Sequence, residues 1–384
     1  MDRRRFLTVS GLATASPALG RIGAGVDSGH GEDVSRRIDF TVDGLGFNPQ
    51  QYAALLHDAV ASRNLQADYY SNGGVIKDLE QLFARLLGKE AAMFVPTGTL
   101  ANHLAIRKLA GTDRRVLVQA ESHLYNDSGD CAQALSGLNL VPLGSARSGI
   151  ELAEVKHWVE RSVSGRVETR VGVISIEDPV RRRDHERVDT GELQRVCAYA
   201  REQGIRLHLD GARMFNLPYH SGRSVRDYAS LFDSVYVSLW KHFNGASGAI
   251  LAGDAGFIAG LFHERRMFGG SLPQAWPQVA LVENYAHGYE QQYANAWQAA
   301  DRFIGLLQSG GRFKARKLSN GTSKFFLALP GIAPGILAER ALKQGIVLSA
   351  GPPGAEEIGL QVNATLLRRS PEALAQSFVD LLRG

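Results

Sequence analysis

Regular alternation of short apolar segments with helix-like segments is the feature of this sequence that most limits its possible folds. From about residue 91, apolar or β-branched runs predict strands at 91–95, 115–119, 138–143, 170–176, 205–209, 234–239 and 248–252. The segments between them predict helices, for example at 99–109, 152–163 and 192–202. Strands that alternate with helices of this length form βαβ units, whose strands lie parallel in one sheet. The pattern therefore predicts an α/β fold with a large, mainly parallel sheet.

The end of the chain repeats this pattern on a smaller scale. A long helix is predicted at 285–307, followed by the glycine pair 310–311. Strands at 324–329, 347–349 and 358–362 then alternate with a helix near 336–344 and a final helix. Ser370 and Pro371 suit the N-cap and the first position of that last helix. We therefore predict an N-terminal segment with a large domain at 38–310 and a small C-terminal α/β domain at 311–384.

The first residues have the features of an export signal. Arg3, Arg4 and Arg5 precede Phe6-Leu7 and a short stretch of small and apolar residues. This order is typical of a secretory signal, and the arginine pair resembles the twin-arginine type. We predict a signal peptide at 1–25, a linker at 26–37 and a periplasmic or otherwise exported protein. A basic terminus in a cytoplasmic protein is the alternative.

Composition excludes several classes of protein. The 384 residues carry a net charge of +4, of which +3 lies in residues 1–25, so nucleic acid is not an expected partner. Cys131 and Cys197 are too few for a disulfide framework or a cysteine-rich metal site, and we predict no metal. No apolar run is long enough to span a bilayer.

Three motifs with reactive side chains follow predicted strands. In an open parallel sheet, ligands bind beyond the carboxyl ends of the strands. The segment 94–99 ends in Thr-Gly-Thr at a helix start, which can bind phosphate or can serve only as a helix cap. Asp210 ends an apolar strand, as a site carboxylate or as a capping residue paired with Arg213. Lys241 follows another strand, either as an amine with a lowered pKa or as a surface lysine.

Together, the three motifs match the requirements of pyridoxal phosphate. That cofactor needs a lysine for a Schiff base, a carboxylate at its pyridine nitrogen and a phosphate site. The sequence here resembles the threonine aldolase and β-eliminating lyase family of fold-type-I pyridoxal phosphate enzymes. The resemblance covers most of 38–383 and is densest in 68–274. The stretches that carry it are Gly88–Thr99, Glu121–His123, His208–Asn216 and the segment around Lys241.

The resemblance implies a fold and a set of roles. The fold would be that of fold-type-I pyridoxal phosphate-dependent transferases, with a large, mainly parallel seven-stranded sheet and a smaller C-terminal α/β domain. The implied cofactor-binding residues are Thr97, Gly98, Thr99, His123, Asp210 and Lys241. The implied catalytic residues are Lys241, His123, Asp210 and Arg213. In these roles residues 97–99 bind phosphate, His123 stacks on the ring and Arg213 binds the substrate carboxylate. His208 lies on the same strand face as Asp210 and is expected to support it.

The resemblance is incomplete around the substrate. Gly359 stands where the family's aldolases carry an arginine that helps to bind the substrate carboxylate, and Pro273 replaces another arginine. Val167 aligns near a second histidine often assigned to β-hydroxyl chemistry. One of the arginines at 181–183 can replace the missing cation, or this loop can be solvated surface. We therefore expect intact cofactor machinery with an altered substrate site.

The expected activity is lyase cleavage of a β-hydroxy-α-amino acid into glycine and an aldehyde. The alternatives are a β-eliminating lyase or dehydratase that uses the same cofactor, and a non-catalytic protein that binds it. Family members share active sites between subunits, so the resemblance implies a homodimer or homotetramer, with Tyr70 near the site of a neighbouring subunit. The expected partner is a small-molecule substrate, an amino acid.

Overall fold

The computed structural model describes residues 36–329, 331–352 and 354–383. The predicted signal peptide and all but the last two residues of the predicted linker lie outside these ranges. Among the described residues, no helix combines the length and the hydropathy needed to cross a membrane. The strands are β1 (Ile38–Asp39), β2 (Ala91–Val95), β3 (Arg115–Gln119), β4 (Asn139–Leu143), β5 (Val171–Glu177), β6 (Arg206–Asp210), β7 (Ser234–Ser238), β8 (Ala249–Gly253), β9 (Ala315–Lys317), β10 (Lys324–Ala328), β11 (Ile346–Val347) and β12 (Glu357–Gln361).

Helices connect and cover these strands. They are α1 (Pro49–Ser62), α2 (Gly74–Leu87), α3 (Gly98–Ala110), α4 (His123–Asn126), α5 (Cys131–Ser136), α6 (Leu152–Val163), α7 (Thr190–Glu202), α8 (Leu217–Ser221), α9 (Val225–Ala229), α10 (Ala255–Ala259), α11 (Leu261–Met267), α12 (Trp276–Val279), α13 (Val282–Ala286), α14 (Tyr289–Ser309), α15 (Pro334–Leu342) and α16 (Pro371–Leu381). Short 3-10 turns lie at Arg181–Arg183, Met214–Asn216 and Ala364–Arg368.

The large sheet confirms the predicted α/β fold. Its seven strands have the order β2-β8-β7-β6-β5-β3-β4. β8 pairs antiparallel with both of its neighbours, whereas all the other pairs are parallel. Side chains that alternate along a strand point to opposite faces, and Phe94 packs in a different apolar cluster from Met93 and Val95. The sheet is therefore covered on both faces, as expected for parallel strands made of apolar residues.

The C-terminal region is built around smaller sheets. β10 pairs antiparallel with β9 and β12, while β1 pairs parallel with β11. The N-terminal segment therefore joins strands from the end of the chain, and Phe40 packs against Phe303, Phe325 and Phe378. The division at residue 310 stays a prediction.

Helix boundaries match the sequence patterns except at one point. α16 begins as predicted, because the Ser370 side chain accepts a hydrogen bond from the Ala373 amide (3.2 Å) and Pro371 follows it. The single helix predicted at 285–307 is wrong, since α13 ends at Ala286 and α14 starts at Tyr289. Gly288 between them has a φ of +78°, which a helix cannot contain.

Candidate active site

The residues predicted to form the site lie around one cavity of about 190 Å³. β5 and β6 end at it, and the segment after β7 also contributes, so it occupies the expected ligand position of an open α/β sheet. The lining residues are Pro96, Thr97, Gly98, Thr99, His123, Glu177, Arg181, Asp210, Ala212, Arg213, Tyr236, Trp240, Lys241 and Ser247. All the predicted site residues are in this set, whereas their chemical roles stay predictions.

The start of α3 forms one wall of the cavity. Thr97 is the N-cap, and its hydroxyl accepts a hydrogen bond from the Leu100 amide (3.2 Å). The amides of Gly98 and Thr99 have no acceptor within the helix and are available to an anion. A Cβ atom on Gly98 would lie 2.0 Å from the hydroxyl oxygen of Tyr236, so only glycine allows this approach. Both interpretations of the Thr-Gly-Thr motif are therefore compatible here, since the cap leaves two amides free.

Asp210 lies at the end of β6 and is held by buried donors. Its Oδ2 accepts a hydrogen bond from Asn102 Nδ2 (2.6 Å), and its Oδ1 accepts one from the Ala212 amide (3.2 Å). Arg213 pairs elsewhere, so Asp210 is not the capping partner of that arginine. Both carboxylate oxygens of Asp210 therefore accept hydrogen bonds, which fix the orientation of this side chain at the cavity.

A buried chain of hydrogen bonds continues behind Asp210. Because the Asn102 amide nitrogen faces Asp210, its Oδ1 must accept from His208 Nε2 (2.9 Å). Burial lowers the pKa of His208 to about 4, so the ring is neutral and Nδ1 accepts from the Ser234 hydroxyl (2.8 Å). Asn102, His208 and Ser234 are fully buried. His208 thus supports Asp210 through Asn102, a residue that sequence analysis missed.

Lys241 has the properties of a reactive amine. It lines the cavity three residues after β7, and its Nζ lies 5.5 Å from the centre of the Trp240 ring. Burial, with the nearby charge of Arg213, lowers the pKa of Lys241 to about 8. A larger fraction of this amine is therefore unprotonated near neutral pH than in an exposed lysine.

Arg213 lines the cavity but is already paired. Its Nε and one Nη donate to the two carboxylate oxygens of Asp43, each at 2.8 Å. Burial raises the pKa of Asp43, but the charge and hydrogen bonds of Arg213 outweigh this effect and lower it overall. Gln361 Nε2 donates to the same carboxylate (2.6 Å). Sequence analysis did not identify Asp43 or Gln361 as site residues, because their contacts join parts of the chain that are far apart in sequence.

The structure also shows where the positions with replaced substrate-binding residues lie. Gly359 is paired with Phe326 in β10 and does not line the cavity. Gln361 lies on the same strand face, two residues further on, and is the side chain of β12 that reaches Asp43. Val167 is 78% exposed and lies outside the lining. Arg181 does line the cavity, where it pairs with Asp127, whereas Arg183 pairs with Glu186.

Glu177 is a buried site carboxylate that sequence analysis missed. Its Oε2 accepts from the His123 amide (2.5 Å) and its Oε1 from the Arg181 amide (2.9 Å), so it holds both segments at the cavity. Burial and the charge of Asp210 raise the pKa of Glu177 to about 7. It ends the apolar strand β5 as Asp210 ends β6, and this shared pattern was a usable signal.

Two further cavities differ in their relation to this site. One, of about 540 Å³, lies next to it and shares Trp240 and Lys241. The other, of about 630 Å³, contains none of the predicted site residues. Its arginines are already paired with carboxylates, as Arg147 is with Glu151 and Arg195 with Glu192.

Comparison with known proteins finds a matching family and several similar proteins. The profile of the family described as "Beta-eliminating lyase" matches residues 52–320. The low-specificity L-threonine aldolase of Eremothecium gossypii is 33% identical over 312 residues, with 78% of each chain covered. The corresponding protein of Saccharomyces cerevisiae is 28% identical, covering 78% of this chain and 77% of its own.

Solved structures extend this similarity to the fold. A provisionally assigned L-allo-threonine aldolase from Listeria monocytogenes has a TM-score of 0.73 at 28% identity, with 90% of this chain and 96% of its own covered. A serine palmitoyltransferase variant from S. paucimobilis, solved with a bound pyridoxal phosphate–myriocin aldimine, has a TM-score of 0.62 at 17% identity. That alignment covers 90% of this chain and 87% of the other, and it shows the fold alone.

Proposed function

The chain belongs to the beta-eliminating lyase family, and on that premise we propose that it cleaves β-hydroxy-α-amino acids in the manner of a threonine aldolase. The products are glycine and an aldehyde, and the cofactor is pyridoxal phosphate. The observation that carries this proposal is the presence of Lys241, Asp210 and the start of α3 around one cavity. The relatives named as threonine aldolases favour cleavage over the β-elimination considered as an alternative.

The site fits the cofactor in the chemistry of its residues. The amides at the start of α3 would bind the phosphate, and Asp210 would keep the pyridine nitrogen protonated. Lys241 would hold the cofactor covalently through an amine whose pKa is lowered to about 8. When bound, the cofactor accepts the electrons of the bond that breaks at the substrate α-carbon.

The chain's own groups would bind and orient the substrate. Arg213 is one cation at the cavity that could bind the α-carboxylate, but it shares its charge with Asp43. Arg181 is a second cation at the cavity. Glu177 is a candidate for holding a proton close to neutral pH, since its pKa is raised to about 7. His123 lies at the same wall because Glu177 binds its amide.

Product analysis tests this function. We expect the protein loaded with pyridoxal phosphate to convert threonine and phenylserine into glycine and the matching aldehyde, with threonine as the poorer substrate. Ammonia with a 2-oxo acid as the main products would instead establish β-elimination. Lys241→Ala serves as the control, because it removes the reactive amine.

We further propose that the protein forms a homodimer or homotetramer and is exported through the twin-arginine route. The assembly is supported by Tyr69, which is 76% exposed, and by Tyr70, which is held at a φ of +51° beside it. An exposed aromatic side chain on a constrained turn is suited to contact another subunit. Light scattering of the purified protein measures the assembly, and a monomer would contradict it.

A further inference from the structure

An apolar cavity of about 540 Å³ adjoins the candidate active site. It lies between residues 42–49, the first two turns of α1 and the segment 244–246. Trp240 and Lys241 line both this cavity and the cofactor cavity, so the two spaces meet at the reactive amine. Its volume lies within the range of about 300–1,000 Å³ that is usual for small-molecule sites.

The walls of this cavity are held in place by hydrogen bonds. The Tyr52 hydroxyl donates to the Pro277 carbonyl (3.0 Å) and accepts from the Ala246 amide (3.2 Å). Asn244 Oδ1 accepts from the Leu45 amide (2.8 Å). A Cβ atom on Gly44 would lie 2.5 Å from that same oxygen, so the two loops are in close contact. The cavity is therefore preformed, and the Tyr52 hydroxyl and Asn244 Oδ1 already have hydrogen-bond partners within the protein.

The chemistry of the lining favours an uncharged, apolar ligand group. Phe47, Pro49, Leu56 and Trp240 supply carbon surface. Asp43 is the acidic residue of the lining, and it is paired with Arg213 and Gln361. Lys241 is the basic residue and belongs to the cofactor site. A substrate that reacts at Lys241 could thus extend its side chain into this space without meeting an unpaired charge.

We infer that this cavity binds the substrate side chain and selects β-hydroxy-α-amino acids that carry an aryl or long alkyl group. The inference rests on the proposed function, because it assumes an amino acid held at Lys241. Each methylene group buried in such a cavity strengthens binding by roughly fourfold. A methyl side chain such as that of threonine would leave most of the space empty.

Filling the cavity provides the test. Ala53 and Ala54 are neighbours on α1 and are both exposed, but Ala53 lines the cavity whereas Ala54 lies outside the lining. We expect kcat/KM for phenylserine to exceed that for threonine by about tenfold or more. Ala53→Trp should reduce this ratio by a similar factor, and Ala54→Trp, the matched control, should not change it. Leu56→Trp fills the cavity from the next turn and should act in the same way as Ala53→Trp.

A binding measurement separates this inference from the proposed function. L-phenylalanine and L-alanine lack the β-hydroxyl group, and their binding is followed by the visible absorbance of the loaded protein. We expect L-phenylalanine to bind at least about tenfold more tightly, and Ala53→Trp to abolish this difference. If this result accompanies no cleavage of any β-hydroxy amino acid, the cavity assignment stands and the proposed function fails.

Two results would overturn the inference while leaving the proposed function intact. One is cleavage in which Ala53→Trp and Ala54→Trp show the same substrate ratio as the unmodified protein. The other is a change in oligomeric mass in Ala53→Trp and Leu56→Trp with no change in substrate ratio. That second result would assign the cavity to contact with another copy of the chain.

Discussion

Removal of the Asn102 side chain should weaken both the fold and the cofactor site. Asn102 binds Asp210 and His208 at once, and all three side chains are buried. In Asn102→Ala, Asp210 loses a 2.6 Å hydrogen bond and keeps the longer one from the Ala212 amide. His208 Nε2–H is left in the interior without its acceptor.

The size of the effect follows from these two losses. A hydrogen bond to a charged group contributes about 1.5–3 kcal/mol, and an unsatisfied buried donor costs about 1–3 kcal/mol. The free energy of unfolding should therefore fall by about 2.5–6 kcal/mol, a large part of the about 5–15 kcal/mol usual for folded proteins. In a His208→Leu background the second loss disappears, so the effect of Asn102→Ala should fall to about 1.5–3 kcal/mol.

Urea unfolding of the four proteins of this double-mutant cycle measures these values. Titration of the cofactor-free proteins with pyridoxal phosphate, followed by visible absorbance, provides a second measurement. We expect cofactor affinity to fall about tenfold or more in Asn102→Ala, because Asp210 then loses the shorter of its two hydrogen bonds and is less firmly oriented. An unfolding free energy within about 0.5 kcal/mol of the unmodified protein, with unchanged cofactor affinity, would refute the proposed role of Asn102.

Three further predictions concern the amine, a buried acid and the signal. The purified protein should be yellow and should form a borohydride-stable adduct with the cofactor, and Lys241→Ala should lose both; retention of both would contradict the role of Lys241. Burial raises the pKa of Glu80 to about 7, so its contribution to stability is complete below pH 4.5 and is lost as the pH rises to about 7. Glu80→Gln should therefore remove about 1.4 kcal/mol per pH unit from the slope of unfolding free energy in that window, and an unchanged slope would contradict it. Arg3→Lys with Arg4→Lys should abolish export, as measured by cell fractionation, and equal amounts outside the cytoplasm would exclude a twin-arginine signal.

The fold could be predicted because its strands are short, apolar and buried. In β5 all seven residues are buried, and such runs between amphipathic helices allow few other folds. The sequence pattern did not predict that β8 runs antiparallel to β7. Apolar residues indicate a buried strand but not its direction, and a short connection after β7 allows an antiparallel pair. The break at Gly288 was missed because helical periodicity continues on both sides of it.

The site could be predicted only where a motif lies at the end of a strand. Lys241 and Asp210 belong to local patterns that place side chains at the sheet edge. Asn102 was missed because its two partners lie 106 and 108 residues away along the chain. The contact of Gln361 with Asp43 spans 318 residues, and no local pattern records it. Such contacts depend on packing between distant elements, which one sequence does not reveal.

The pairing of Arg213 leads to a last prediction about substrate binding. Asp43 accepts hydrogen bonds from two donor groups of Arg213, and Gln361, which also donates to it, is uncharged. The charge of Arg213 is therefore largely balanced before any substrate carboxylate arrives. An arginine in place of Gln361 would compete for Asp43 and leave more of Arg213 available to the substrate.

Gln361→Arg should accordingly lower KM for threonine by about tenfold with little change in kcat, because one charge-assisted hydrogen bond contributes about 1.5–3 kcal/mol. Gln361→Met, which removes the hydrogen bond to Asp43 without adding charge, is the matched control and should not lower KM. The relative reduction in KM should be smaller for phenylserine, because its side chain would already contribute to binding in the apolar cavity. An equal KM for threonine in Gln361→Arg and Gln361→Met would show that the charge of Arg213 is not what limits carboxylate binding.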